Sequence, residues 1–267
     1  MRSLNFKNKW VLITGASSGL GQEMALQLAA REGANLIITA RRADRLEQLR
    51  AELLKTPGVQ VKIVVADISS GEDVERIIKE ATEGQELYAA ILNAGITYFG
   101  EHIKIPEGEI DRLIQTNVSA VVRMATRLVK YFEEKGDAGG VMTVTSMAAM
   151  FPVPYQALYT GSKAFITNFM MALSQELTNP QLSLTVYAPS GIETEMTQDE
   201  KFSGLKKWLM PVSQAASEGI QALKYRKLLH IPGAMNRTGS RFLRLLPKKF
   251  ILAVMARTYR KSLNLPQ

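Results

Sequence analysis

A tyrosine and a lysine stand four residues apart in the segment YTGSK, at Tyr159 and Lys163. In a helix, this spacing brings both side chains onto one face. A free phenol has a pKa near about 10, and an ammonium group one turn away favours the ionised phenol, so the pair could transfer protons near neutral pH. The spacing alone is weak evidence, because an ordinary helix face with one aromatic and one charged residue has the same pattern.

Six apolar segments alternate with amphipathic segments before residue 190. Their lengths and composition predict strands at 10–15, 35–39, 61–67, 88–95, 140–146 and 182–189, and helices at about 20–31, 43–55, 71–82, 107–133 and 155–178. Nearly continuous apolar strands that alternate with helices are typical of a parallel sheet covered on both faces. The sequence therefore predicts an α/β fold, a doubly wound three-layer sandwich, with a less regular extension after it.

A glycine-rich loop, TGASSGLG, lies between the first predicted strand and the first predicted helix. Glycine permits positive φ and a close approach of the backbone to an anion, and the helix N-terminus offers free N–H groups to a pyrophosphate. The spacing is G-x-x-x-G-x-G rather than G-x-G-x-x-G, and a loop that binds no ligand is the alternative interpretation. The candidate phosphate-binding residues are Gly15, Ser17, Ser18, Gly19, Leu20 and Gly21.

Two arginines follow the second predicted strand. Arg41 lies 20 residues after Gly21, where NAD-binding folds place an acidic residue on the ribose 2′-hydroxyl. A guanidinium group binds phosphate through a fixed fork of donors, so Arg41 and Arg42 favour a 2′-phosphate and hence NADP(H) over NAD(H). Asp44 is interpreted as the cap of the second helix. Solvated arginines at a helix start are the alternative.

Five features occur in the order and spacing of one known family: the glycine loop, the segment NAG at 93–95, Asn117, Ser146 and YTGSK. Over about residues 8–195 the chain resembles the short-chain dehydrogenase/reductases. The resemblance implies a Rossmann-like, mainly parallel, seven-stranded sheet with a nicotinamide dinucleotide over its C-terminal edge. Two positions depart from the usual pattern, since Leu92 replaces an asparagine and Ser190 replaces a glycine.

The resemblance also implies a role for each matched residue. Tyr159 would be the acid/base, Lys163 its activator and a donor to the nicotinamide ribose, and Ser146 the anchor of the carbonyl oxygen. Asn117 would hold a proton-relay water. Further cofactor contacts are expected at Asp67, Ile68, Asn93, Ala94, Gly95, Ile192 and Thr194.

These features predict an oxidoreductase that reversibly transfers hydride between NADP(H) and a ketone or aldehyde. Three segments are rich in Met and aromatic residues, which suits an apolar substrate: the loops 96–100 and 147–156 and the segment 195–211. The last of these lies within a lid that is expected over 195–215. A cofactor-binding scaffold without turnover is the alternative from another functional class. The intact Asn-Ser-Tyr-Lys set argues against it, because an idle protein has no need of the phenol–ammonium pair.

Composition excludes several other classes. The chain has no cysteine and only two histidines, so disulfides, thiolate metal sites and Ser-His-Asp or zinc sites are not expected. The polar first ten residues do not resemble a signal peptide, and no apolar segment approaches the roughly 20 residues of a membrane span. The expected localisation is cytoplasmic. We expect a homodimer or homotetramer assembled through the helices at 107–133 and 155–178.

The C-terminal part of the chain is strongly basic. From Gly219 onward there are eleven Lys and Arg residues and no Asp or Glu, against a net charge of +8 for the whole chain. Two helices separated by Pro247 are expected in a basic extension over 232–267. Residues 235–263 could pack on the domain or on a second subunit, or contact a membrane surface peripherally. Nucleic-acid binding is not expected, because bulky apolar residues alternate with the cations.

Overall fold

The computed structural model describes residues 2–197, 209–243 and 246–263. The seven strands in these residues form one sheet in the order β3-β2-β1-β4-β5-β6-β7, and every neighbouring pair is parallel. The doubly wound, Rossmann-like fold predicted from the sequence is therefore confirmed. The strands are β1 Trp10–Thr14, β2 Asn35–Ala40, β3 Val61–Val65, β4 Leu87–Leu92, β5 Gly139–Val144, β6 Leu182–Tyr187 and β7 Leu229–His230.

Helices cover both faces of the sheet. They are α1 Gly19–Glu32, α2 Ala43–Leu53, α3 Gly71–Thr82, α4 Glu107–Ile114, α5 Ala120–Lys135, α6 Ala157–Leu173, α7 Val212–Lys224, α8 Ala234–Leu243 and α9 Lys248–Ser262. A π-helical turn, Gln115–Ser119, joins α4 to α5. Short 3₁₀ turns lie at His102–Lys104, Met147–Met150 and Glu195–Thr197.

Alternation along the central strands fills two separate cores. On β1, Val11 and Ile13 pack into the core with α1, α2 and α7, whereas Leu12 packs into the core with α3, α5 and α6. All three side chains are fully buried. Successive strand residues point to opposite faces, so a strand covered by helices on both sides must be apolar throughout.

The strand order reverses between β1 and β4. The chain moves outward from β1 through β2 to β3, and then returns to place β4 on the other side of β1. The loops after β1 and β4 therefore diverge to opposite faces and leave a crevice at the carboxyl ends of the strands. This crevice holds the candidate site.

Some element boundaries differ from those expected. The helix expected at 155–178 is shorter, at Ala157–Leu173, and the one expected at 107–133 is interrupted by the π-helical turn. Asp44 lies in the first turn of α2, whose N-cap position is Arg42, so its assignment as the cap was wrong. The two-residue strand β7 was not recognised among the predicted strands. Of the lid expected at 195–215, residues 198–208 lie outside the described residues.

The C-terminal extension packs on its own domain along one face. Ile251 is buried, and the Tyr259 ring meets the Phe99 ring edge-on with centroids 5.3 Å apart. Arg260 Nε donates a hydrogen bond of 3.1 Å to the Tyr155 hydroxyl. Among the described residues, no helix combines the length and apolar character needed to cross a bilayer.

Candidate active site

A cavity of about 610 Å³ opens at the carboxyl edge of the sheet, within the size range of ligand pockets. Most residues predicted from the sequence line it: Gly15, Ser17, Ser18, Gly19, Leu20, Arg41, Arg42, Asp67, Ile68, Asn93, Ala94, Gly95, Ser146, Tyr159, Lys163, Ile192 and Thr194. Gly21 and Asn117 are not among the lining residues. The structure thus brings together residues from seven separate stretches of the chain.

The loops after β1 and β4 are tied together by Thr14 and Asn93. The Thr14 hydroxyl accepts hydrogen bonds of 3.0 Å from the backbone N–H groups of Asn93 and Ala94. In return, Asn93 Nδ2 donates to the carbonyl oxygens of Thr14, at 3.0 Å, and Gly15, at 3.3 Å. Thr14 was quoted in the glycine motif but given no role, since a strand-end hydroxyl has no sequence signature of its own.

The glycines of the phosphate loop are required by space and by backbone conformation. Gly15 has φ of 68°, and a Cβ there would lie 2.9 Å from Ala94 Cα. A Cβ on Gly21 would lie 2.5 Å from both Asn93 Nδ2 and the Gly15 carbonyl oxygen. The loop therefore keeps an open cradle of backbone at the N-terminus of α1, which fits a dinucleotide pyrophosphate.

Arg41 and Arg42 both line the cavity but have different hydrogen-bond partners. Arg42 donates to the Ser17 hydroxyl, at 3.0 Å, and to the Ser18 hydroxyl, at 2.8 Å. Arg41 lies 3.5 Å from an Asp67 carboxylate oxygen. Burial raises the pKa of Asp67, but hydrogen bonds from Ser69 and the Arg41 charge outweigh it and hold the pKa below its usual range.

Glu195 is a charged residue beside Arg42 that the sequence did not indicate. Its carboxylate accepts a hydrogen bond from Arg42 Nη1 at 3.2 Å and another from Arg45. The hydrogen bonds from Arg45 and Arg42 lower the pKa of Glu195. The segment after β6 is thereby tied to the start of α2, a pairing between distant positions that no local pattern reveals.

Ser146 and Tyr159 meet at the other end of the cavity. Ser146 follows β5 and caps the Met147–Met150 turn, accepting from the Ala148 N–H at 3.1 Å. Burial raises the pKa of Tyr159, and the hydrogen bond from Ser146 opposes that shift only in part. The expectation that this pKa is lowered was wrong, because burial disfavours the phenolate and sets the direction of the shift.

Lys163 is almost fully buried, with 5% of its surface exposed. Its ammonium donates to the Val144 carbonyl at 3.0 Å and lies 5.8 Å from the centroid of the Tyr159 ring. Burial lowers the pKa of Lys163 to about 8. A Cβ on Gly95 would lie 3.0 Å from this ammonium, so the glycine of NAG leaves room for the lysine.

Asn117 lies in the π-helical turn and is fully buried. Its Oδ1 accepts from the Ile96 N–H at 2.9 Å, while Nδ2 donates to the Ile96 carbonyl at 2.9 Å and to the Ser162 hydroxyl at 3.1 Å. Both amide hydrogens are therefore used by the protein. A relay water held by the Asn117 side chain would therefore have to donate to Oδ1, which keeps a second lone pair.

Known proteins share this arrangement. A family model described as short chain dehydrogenase matches residues 9–203. The chain belongs to the short-chain dehydrogenase/reductase family. This confirms the resemblance stated from the sequence, and it makes the chain a member of a family of oxidoreductases that use nicotinamide cofactors.

Two similar relatives and one similar solved structure illustrate the match. The 17-beta-hydroxysteroid dehydrogenase type 3 of Mus musculus is 35% identical over 197 residues, which cover 73% of this chain and 64% of that protein. The very-long-chain 3-oxoacyl-CoA reductase of Anas platyrhynchos is 32% identical over 196 residues, covering 72% and 62%. The aligned part thus spans less than two thirds of these relatives. A short-chain dehydrogenase from Sphingobium yanoikuyae, solved in complex with NADPH, has 27% identity and a TM-score of 0.78, covering 88% of this chain and 93% of that one.

In this short-chain dehydrogenase, the departure at Ser190 links the site to the extension. Asn236 on α8 donates to the Ser190 hydroxyl at 2.8 Å, a bond that glycine could not accept. Leu243, Met255 and Tyr259 of α8 and α9 also line the cavity. Charge and alternating apolar residues both drew attention to this segment in the sequence, and the spacing of Ile251, Met255 and Tyr259 is typical of one face of a helix.

We expect Lys163→Met to stabilise the fold at neutral pH. The pKa of Lys163 is lower in the folded protein, about 8, than its ordinary value of 10.5, so the unfolded chain binds the proton more tightly. Below pH 8 the cost is fully present, and it disappears as pH rises toward 10.5. The variant should gain about 1–3 kcal/mol at pH 7 and lose this pH dependence in urea unfolding. Exposed Lys7→Met is the control, and equal destabilisation at every pH contradicts the prediction.

We expect Asn117→Ala to destabilise the fold by about 2–4 kcal/mol, because it leaves buried partners on Ile96 and Ser162 unpaired. Ser162→Ala removes one of these three hydrogen bonds and the one that the Ser162 hydroxyl donates to the Tyr159 carbonyl oxygen, and it should cost about 1–2 kcal/mol. Denaturant unfolding measures both values. Equal losses in the two variants would show that the Ile96 bonds contribute nothing.

Proposed function

We propose that the protein is an NADP(H)-dependent oxidoreductase that interconverts an apolar ketone or aldehyde and its alcohol. The observation that carries the proposal is the meeting of Ser146, Tyr159 and Lys163 at one end of a cavity whose other end holds the glycine cradle and two arginines. Hydride chemistry belongs to the nicotinamide cofactor, which supplies the two electrons and one hydrogen. The protein has to position the carbonyl and supply the proton.

Ser146 and Tyr159 perform these two tasks in reduction. As hydride reaches the carbonyl carbon, negative charge develops on the carbonyl oxygen. The Ser146 hydroxyl donates a hydrogen bond to this oxygen, and the Tyr159 hydroxyl transfers its proton to it, which completes the alcohol. In oxidation the same proton returns to Tyr159.

The direction of the pKa shift of Tyr159 suits a proton donor. Burial raises this pKa, so the phenol stays protonated at neutral pH and is ready for reduction. Oxidation requires the phenolate, which the positive charges of the oxidised nicotinamide and of protonated Lys163 stabilise.

The preference for NADP(H) rests on the arginine pair. A 2′-phosphate would lie between Arg42, held over Ser17 and Ser18, and Arg41 beside Asp67. The only carboxylate in contact with Arg42 among the described residues is Glu195, at an exposed ion pair that solvent screens. Two guanidinium groups suit a dianionic phosphate better than a neutral hydroxyl.

An apolar substrate is supported by the cavity walls around Tyr159. They include Met147, Phe151, Val153, Leu243, Met255 and Tyr259. Relatives named for hydroxysteroids and for very-long-chain 3-oxoacyl groups agree with a substrate of this character. The Asn236–Ser190 bond and the Phe99–Tyr259 contact hold the walls contributed by the extension.

Assembly and localisation stay predictions. On α6, the rings of Phe165 and Phe169 are stacked with centroids 6.4 Å apart, and Phe165 is exposed. This exposed ring supports a homodimer or homotetramer that forms through α5 and α6.

The alternative of an idle cofactor-binding scaffold is disfavoured by the buried ammonium of Lys163. Its desolvation costs stability, and a role in proton transfer explains why a lysine is kept there.

We expect Tyr159→Phe to lower turnover of ketones with NADPH by about 10²–10⁴-fold, because the proton donor is lost. NADPH binding, followed by fluorescence titration, should stay within about twofold, since the ring is kept. Tyr98→Phe, which removes a phenol outside the cavity, is the control. Undiminished turnover by Tyr159→Phe across a panel of carbonyl compounds would refute the mechanism.

We expect Arg41→Ala and Arg42→Ala each to weaken NADPH binding by about tenfold or more and to leave NADH binding nearly unchanged. Arg45→Ala removes a cation that contacts Glu195 but does not line the cavity, so it is the matched control. Fluorescence titration of each variant with both cofactors measures the effect. A protein that prefers NADH, or equal losses for both cofactors, would contradict the assignment.

A further inference from the structure

The outer faces of α8 and α9 expose a cluster of large apolar side chains. We call the tail face the surface formed by Met235, Phe242, Leu246, Phe250 and Val254. Met235 is 79% exposed and Phe242 is 66% exposed. Five of the eleven exposed large apolar side chains in the described residues lie on this face. Such clustering, unlike scattered single residues, marks a surface that binds something.

Helix α9 has two different faces. Ile251, Met255 and Tyr259 point inward, and the last two line the cavity. Four residues spaced three or four apart are exposed on the other side: Phe250, Val254, Arg257 and Lys261. The inward face satisfies the need for packing on the domain, so the outward apolar residues are not explained by the fold.

The tail face is surrounded by positive charge. Lys248, Lys249, Arg257 and Lys261 are exposed, and none of them forms a salt bridge within the described part of the chain. No acidic residue occurs from Gly219 to the end of the sequence. Several exposed cations elsewhere have acidic neighbours, as Lys130 has Glu134. The cations here are available to an outside anion.

We propose that the tail face binds the surface of an anionic lipid bilayer. Phenylalanine, leucine and methionine side chains would enter the boundary of the acyl region, while the lysines and arginines contact headgroup phosphates. A second copy of the chain fits less well. A two-fold symmetric contact places the same patch on both sides, and this patch would set cations against cations.

The proposal goes beyond the chemistry of the site, because bilayer binding needs no turnover. The tail face is also close to the site, since Leu243, Met255 and Tyr259 on the inner sides of the same helices line the cavity. A bound bilayer would lie directly against this wall. That an apolar substrate reaches the cavity from the lipid is a consequence that rests on the proposed function.

Flotation of the full chain with vesicles tests the proposal. Vesicles of equimolar phosphatidylglycerol and phosphatidylcholine should carry the protein upward at low salt, whereas pure phosphatidylcholine vesicles should carry at least about tenfold less, and high salt should release it. Absence of binding to the anionic vesicles at low salt overturns the proposal, whatever the protein catalyses.

Two pairs of variants locate the surface. Phe242→Ser with Phe250→Ser, and Lys248→Glu with Lys249→Glu, should each lower partitioning by about tenfold or more. Their controls change the same kinds of exposed residue elsewhere: Tyr225→Ser with Leu228→Ser, and Lys7→Glu with Lys227→Glu. Circular dichroism and thermal unfolding check that each variant folds.

Two further outcomes would count against the tail face. If the variants and their controls lose vesicle binding equally, overall charge or hydrophobicity drives the binding and not the tail face. A dimer that light scattering detects in the parent protein but not in Phe242→Ser with Phe250→Ser would assign the face to a second copy instead. Retained NADPH binding in all variants separates either failure from a failure of the proposed function.

Discussion

The reversal of strand order between β1 and β4 is the constraint on which the site depends. It opens a crevice, but it also sends the two bordering loops in opposite directions. Thr14 and Asn93 hold these loops together with four hydrogen bonds of 3.0–3.3 Å. The glycine cradle can be tight, and Gly95 can stand beside Lys163, only while this tie keeps the edges of the crevice at a fixed separation.

The proton-transfer groups are placed where water is scarce, and this determines their charge. Burial pushes Tyr159 and Lys163 toward their neutral forms, the phenol by raising its pKa and the amine by lowering its own. The pKa of Lys163 thereby comes close to neutral pH, whereas Tyr159 stays a neutral phenol. Geometry is supplied by backbone: the Val144 carbonyl holds the amine, and Ser146 stands at the end of the same strand.

Local patterns were enough to predict the fold class and the phosphate loop, and the family resemblance supplied most of the other predicted residues that line the cavity. Apolar runs define strands whatever their partners, and the glycine loop is a local requirement of backbone conformation. Three features depend on tertiary structure and were not predictable: the pKa direction of Tyr159, set by burial; the Arg42–Glu195 pair, which joins positions far apart; and the choice of which α9 face packs. The amphipathic spacing showed that two faces exist, but only the position of Phe99 and Tyr155 decides which one turns inward.

The π-helical turn between α4 and α5 has a consequence for how the family can vary. A π turn holds one residue more than an α-helix needs over the same length. Removing one residue from Gln115–Ser119 would give a more regular helix, yet it would rotate every earlier side chain by about 100° relative to α5. Asn117 could then no longer face both Ile96 and Ser162. Insertions and deletions should therefore be tolerated in the surface loops but excluded here, so that an irregular helix becomes the most length-restricted segment of the chain.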